Sequence, residues 1–123
     1  MKKQVLTLSL LSGLIAFNAC KKDAVDYAAQ ATCTGSAPTY SGEIESILNT
    51  NCALSGCHSA SSARAGINLS DYANASSQFK NNSDNLTSVH HGSGVKPMPQ
   101  GGAQLSTDLI NKLDCWVKNG CLQ

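Results

Sequence analysis

The segment "NTNCALSGCHSA" holds Cys52 and Cys57, with His58 directly after the second thiol. Two thiols and an adjoining imidazole are the donor set for covalent haem attachment. The thiols become thioethers at the ring edge, and the imidazole takes one face of the iron. The commonest attachment motif places two residues between its cysteines. Here Ala53, Leu54, Ser55 and Gly56 intervene, and Gly56 gives the backbone the freedom to fold the longer loop back. Haem of the electron-transfer type commonly carries methionine opposite histidine. Met98 is the one methionine besides Met1, and Pro97 and Pro99 flank it, so its thioether needs little ordering to serve as the distal ligand. His90 and His91 are the alternatives, because an imidazole serves iron equally well.

Two other chemistries fit the same residues. Cys52, Cys57, His58 and either His90 or His91 nominally make a four-ligand zinc site, although neighbouring cysteine and histidine rarely ligate together in structural zinc sites. Cys52 and Cys57 can also pair as a disulfide with no cofactor. Nothing in the chain supplies a general base, a paired nucleophile or a phosphate-cradling glycine loop, so no enzyme activity is expected.

The elements that position these residues read as helices. Ser41 as N-cap, Glu43 and Glu45 in a first turn, and Ile44, Ile47 and Leu48 at helical spacing predict a helix over 42–51 that delivers Cys52 at its end. "SASSARAGINLS" is a loop with Ile67 and Leu69 turned inward. Short helices are expected from Ser70 or Asp71 to Lys80 and from Ser83 or Asp84 to His91. "HGSGVKPMPQGGAQ" is too rich in glycine and proline for regular structure. Ser106 opens a closing helix with an apolar stripe of Leu109, Leu113, Trp116 and Val117, and Gly120 stops it. No strand-like alternation occurs, so the fold class expected is all-α with long loops.

The amino terminus sorts the chain into a compartment. Lys2 and Lys3 precede an apolar run from Val5 to Phe17, the layout of a secretory signal over residues 1–19. "FNAC" closes it with Cys20, which suggests a bacterial lipoprotein whose lipidated cysteine anchors the mature chain to a membrane. Residues 20–38 then read as a flexible tether and 39–123 as the folded domain, extracytoplasmic and membrane-anchored, where thiols can oxidise and haem can be attached. Without residues 1–19 the chain keeps seven basic against eight acidic residues, which excludes nucleic acid as a partner. The folded part has two tyrosines, one phenylalanine and one tryptophan, a core thin enough to need a staple or a large apolar ligand.

"SGEIESILNTNCALSGCHSASSARAGINLSDY" with "KPMPQGGAQLSTDLINKLDCWVKNG" resembles the small monohaem c-type cytochrome domains of Bacteroidota and Planctomycetota lipoproteins. The likeness spans residues 39–120. It implies a cytochrome c-like fold around one haem c, with Cys52 and Cys57 as thioether sites, His58 as proximal ligand and Met98 as distal ligand. It further implies electron transfer with redox protein partners. Beside that resemblance, a bridge from Cys33 to Cys115, in the family-like closing helix, would staple the incoming chain; Cys33 to Cys121 and Cys115 to Cys121 are the rivals. Two other functions stay open from the sequence: a haem-based sensor in which a small ligand displaces Met98, and a haem-free, disulfide-stapled surface interaction domain.

Overall fold

The computed structural model describes residues 25–123. The expected signal segment and Cys20 lie outside the described residues. Five helices follow in order: α1 (Tyr27–Gln30), α2 (Glu45–Asn51), α3 (Tyr72–Asn81), α4 (Asp84–Val89) and α5 (Thr107–Lys118). A wide π-type turn, Tyr40–Ile44, leads into α2, and a 3-10 turn, Arg64–Gly66, lies in the loop before α3. Among the described residues there is no strand, and the fold is all-α. Among them, too, no helix is long and apolar enough to cross a membrane.

Helix α5 organises the core. Ser106 caps it by accepting the Leu109 N–H, and Asp108 sits in the first turn and Lys118 in the last, each complementing the helix dipole. Leu113 and Trp116 are fully buried, Ile110 nearly so, whereas Leu109 and Val117 of the expected stripe are only half-buried. Trp116 packs against Phe79 of α3 at 5.7 Å between ring centroids and against Tyr40 at 6.2 Å. Its indole N–H donates to the Leu122 carbonyl, which also accepts the Tyr40 N–H. One carbonyl near the carboxyl terminus thus fixes both the core tryptophan and the entry to α2.

The start of α2 differs from the sequence expectation. Thr39, not Ser41, is the cap: its hydroxyl accepts the Gly42 N–H at 3.1 Å, and its carbonyl accepts the N–H groups of Glu43 and Ile44. Gly42 makes that possible, since a Cβ there would lie 2.8 Å from the Thr39 hydroxyl. The helical path therefore begins two residues earlier, with Tyr40 and Ile44 buried.

Residues 20–38 read as a tether, yet the described part of that stretch is docked. Asp26 caps α1, Ala28 is buried, and the Lys118 ammonium donates to the carbonyls of Ala29 and Ala31. Cys33 is joined to Cys115 of α5 by a disulfide spanning 82 residues of sequence. Small side chains hide this docking from a composition reading, because the energy lies in tertiary bonds and the bridge rather than in apolar bulk.

Closing a loop of that length removes much of the freedom of the unfolded chain. The Cys33→Ser/Cys115→Ser variant should lose about 2–5 kcal/mol of stability. Trp116→Ala should lose about 3–5 kcal/mol by leaving a cavity. Urea unfolding followed by circular dichroism measures both, and unchanged midpoints would contradict this account of the core.

Candidate functional site

A cleft of about 600 Å³ opens between the Cys52–Leu69 segment, α3, the end of α4 and the loop carrying Met98. That volume lies within the usual range for small-molecule and cofactor sites, roughly 300–1,000 Å³. Cys52, Cys57, His58 and Met98 all line it. Leu54, Ile67, Leu69, Phe79 and Val89 give it a mainly apolar wall, and Arg64 and Lys96 add positive charge.

The local chain geometry explains how two thiols and an imidazole share this wall. Cys52 ends α2, its N–H bonded to the Leu48 carbonyl. The four intervening residues fold into a closed loop: the Cys57 N–H returns to the Leu54 carbonyl and the His58 N–H to the Cys52 carbonyl. Gly56 adopts φ +78°, a left-handed conformation costly for other residues, and donates its N–H to the Ser62 hydroxyl. The two extra residues are thus absorbed as a bulge, and Cys52 and His58 are tied together through the backbone.

His58 is buried, and its Nδ1 lies 3.1 Å from the Ile67 carbonyl oxygen. A carbonyl only accepts, so Nδ1 carries a hydrogen, and in the neutral ring the lone pair then lies on Nε2. This is the arrangement by which proteins fix the tautomer and ring orientation of a metal-ligating histidine. The Leu69 N–H bonds to the His58 carbonyl, and the Arg64 N–H to that of Cys57, so the loop after the motif is laced back onto it. Ile67 and Leu69 are turned inward for that reason.

The two remaining histidines point to other tasks. His90 Nε2 lies 3.0 and 2.9 Å from the two carboxylate oxygens of Asp114 on α5, and its ring stacks on Tyr27 with centroids 3.8 Å apart. Asp114 is buried, and desolvation pushes its carboxyl above the usual carboxylate range, against the opposing pull of the His90 hydrogen bond and charge. His91 Nε2 donates to the Met98 carbonyl at 3.1 Å. Neither histidine lines the cleft, and each has its Nε2 engaged elsewhere. The Asp114–His90–Tyr27 cluster, which clamps α1, α4 and α5 together, escapes a sequence reading: nothing local marks partners 24 and 63 residues apart.

The zinc set is not assembled. Among the described residues, no three His, Cys, Asp or Glu side chains group as a metal site. Cys52 and Cys57 are free thiols and not a disulfide, and Cys121 is a fully buried thiol apart from the Cys33–Cys115 bridge. The residues that line the cleft could hold a haem. Two reduced thiols, an imidazole with a free Nε2 and a neutral thioether face one apolar cleft, with two cationic side chains for its carboxylates. No family model, curated protein or solved structure matches the chain.

Burial, with a smaller contribution from Cys57, pushes the Cys52 thiol up to about 11 from an ordinary value of 9.0. The folded chain therefore favours the protonated thiol across the neutral range, and thiolate appears only as pH rises toward 11. In the haem-free protein at pH 8, iodoacetamide should alkylate Cys52 about 100-fold more slowly than in the urea-unfolded chain, since only the thiolate reacts. Peptide mass mapping against time measures this, and equal rates in both states would contradict the buried placement of Cys52.

Proposed function

We propose that this protein is a small monohaem c-type cytochrome, an extracytoplasmic, membrane-tethered carrier of single electrons. The observation that carries the reading is the convergence of Cys52, Cys57, His58 and Met98 on one apolar cleft, with His58 Nδ1 donated to Ile67 and Nε2 left free. The first three are local in sequence, but Met98 comes from 40 residues beyond His58. Its arrival at the same wall is a tertiary fact, independent of the motif.

The roles follow from side-chain chemistry. Cys52 and Cys57 provide the sulfurs for two thioether bonds, which hold the cofactor without relying on affinity alone. His58 would offer Nε2 as proximal ligand, with the Ile67 carbonyl fixing the ring by accepting from the opposite nitrogen. Met98 offers its thioether as distal ligand, and a soft neutral donor favours the reduced state more than a second imidazole does. A bound haem supplies a one-electron iron couple. Leu54, Ile67, Leu69, Phe79 and Val89 give the cleft an apolar lining, which would also favour the form of lower charge. With haem bound, His58 and Met98 would both serve its iron and leave no place for a substrate, which supports a carrier rather than an enzyme. The fold itself we read as cytochrome c-like, the helix entering the motif and α5 enclosing the aromatic core beside the cleft.

Electron transfer needs only a partner that can approach this cleft, and redox proteins in the same compartment are the expected class. Tethering through lipid on Cys20 belongs to the same proposal and rests on the "FNAC" boundary alone.

The test is expression with a haem-maturation system. The dithionite-reduced protein should show the sharp α band of a c-type cytochrome. Met98→His should keep that band and lower the reduction potential by on the order of one to three tenths of a volt, part of the ~0.8 V span set by axial ligands. An α band that never appears would sink the haem reading; a potential unmoved by Met98→His would sink Met98 as ligand.

A further inference from the structure

We infer that His91 is a positioning residue for Met98, holding the distal-ligand loop closed by a hydrogen bond made from a strained backbone position. The inference rests on the cytochrome reading above and concerns how tightly its weaker ligand is held.

The end of α4 carries an unusual cap. The Gly92 N–H bonds to the Thr87 carbonyl at 2.8 Å and the His91 N–H to the Ser88 carbonyl at 3.1 Å. With His90 as C-cap, these are the two crossed bonds of a Schellman motif, whose next position, here His91, is left-handed and usually glycine. His91 adopts φ +53° without being glycine. A residue with a side chain meets a steric cost in this left-handed conformation that glycine escapes. Glycine stands one residue later, where packing demands it: a Cβ on Gly92 would meet the Tyr27 hydroxyl and Thr87 Cγ2, both at 2.8 Å. The sequence thus keeps a histidine where glycine would relax the chain, and such a strained residue points to a use for its side chain.

That use is visible in the next loop. The His91 imidazole donates from Nε2 to the Met98 carbonyl at 3.1 Å. On the other side of the same residue, the Met98 N–H donates to the Ser88 carbonyl at 2.9 Å. Both backbone groups of Met98 are therefore anchored to the last turn of α4 and its cap, and the Ser88 carbonyl serves the cap and the loop together. A neutral thioether is a weak ligand, so the time it spends on iron depends on how far the chain is prearranged to present it. Loss of the His91 bond should free one end of that presentation.

The experiment separates positioning from folding because the strain and the bond act in opposite directions. The haem-loaded wild-type, His91→Gly, His91→Asn and Met98→Ala proteins are reduced and mixed with carbon monoxide, which binds only when the distal position opens. Glycine and asparagine both suit the left-handed backbone, and neither reaches the Met98 carbonyl as histidine does. Both variants should unfold in urea at or above the wild-type midpoint. Both should nevertheless bind carbon monoxide about 2- to 5-fold faster, the lower part of what one net hydrogen bond is worth. Met98→Ala should be faster than either. Should one His91 variant fail to accumulate folded, the other decides. If Met98→Ala speeds binding while both His91 variants match wild type, the positioning role is overturned and the ligand reading stands. If Met98→Ala itself matches wild type, the ligand reading falls and this inference with it.

Discussion

Trp116 is the interaction on which the rest of the arrangement depends. It is fully buried and touches Phe79 from α3 and Tyr40 from the turn before α2. Its indole hydrogen bond reaches the Leu122 carbonyl, which in turn holds the Tyr40 backbone. A domain of this size has few aromatic groups, and here Tyr40, Tyr72, Phe79 and Trp116 form one linked cluster. Phe79 is shared: it packs on Trp116 and also lines the cleft. The wall of the site is therefore the outer surface of the core, and the site inherits its rigidity from the packing around α5.

The second constraint is covalent. The Cys33–Cys115 bridge and the Lys118 contacts bring α1 against α5, and α1 carries Tyr27 to the face of His90. His90 meets the buried Asp114 carboxylate, whose raised protonation range reflects its desolvation. This fixes the carboxyl end of α4, from which Ser88 and His91 hold both backbone groups of Met98. A chain of contacts thus runs from the disulfide, through a stacked histidine, to the loop that presents the proposed distal ligand. The Cys52–His58 side of the cleft depends on different bonds, all local: the closed Cys52–His58 loop and the Ile67 carbonyl behind the imidazole.

This division explains what a sequence discloses and what it hides. Helices α3 and α5 are legible because Asp71 and Ser106 cap them and apolar spacing marks the buried faces. That Cys52, Cys57 and His58 lie together is legible because they are neighbours in sequence, whereas the placing of Met98 on the same cleft is the work of the fold. His90 and His91 are misleading for the opposite reason. As a pair of imidazoles near the site they look like ligands, and their actual partners, Asp114 and the Met98 carbonyl, are set by packing. The same applies to α1, a four-residue helix of small side chains with no periodicity to reveal it, and to Thr39, which displaces Ser41 as cap because Gly42 leaves room for its hydroxyl. In each case the deciding energy is tertiary.

Covalent attachment of haem to the Cys52–Cys57–His58 loop is the proposal on which the function turns. Intact mass under denaturing conditions tests it most directly, since only thioether bonds survive unfolding. Protein matured with a haem-attachment system should carry the mass of one haem, and the Cys52→Ser/Cys57→Ser variant should carry none. A wild-type chain with no added mass under those conditions would contradict the account.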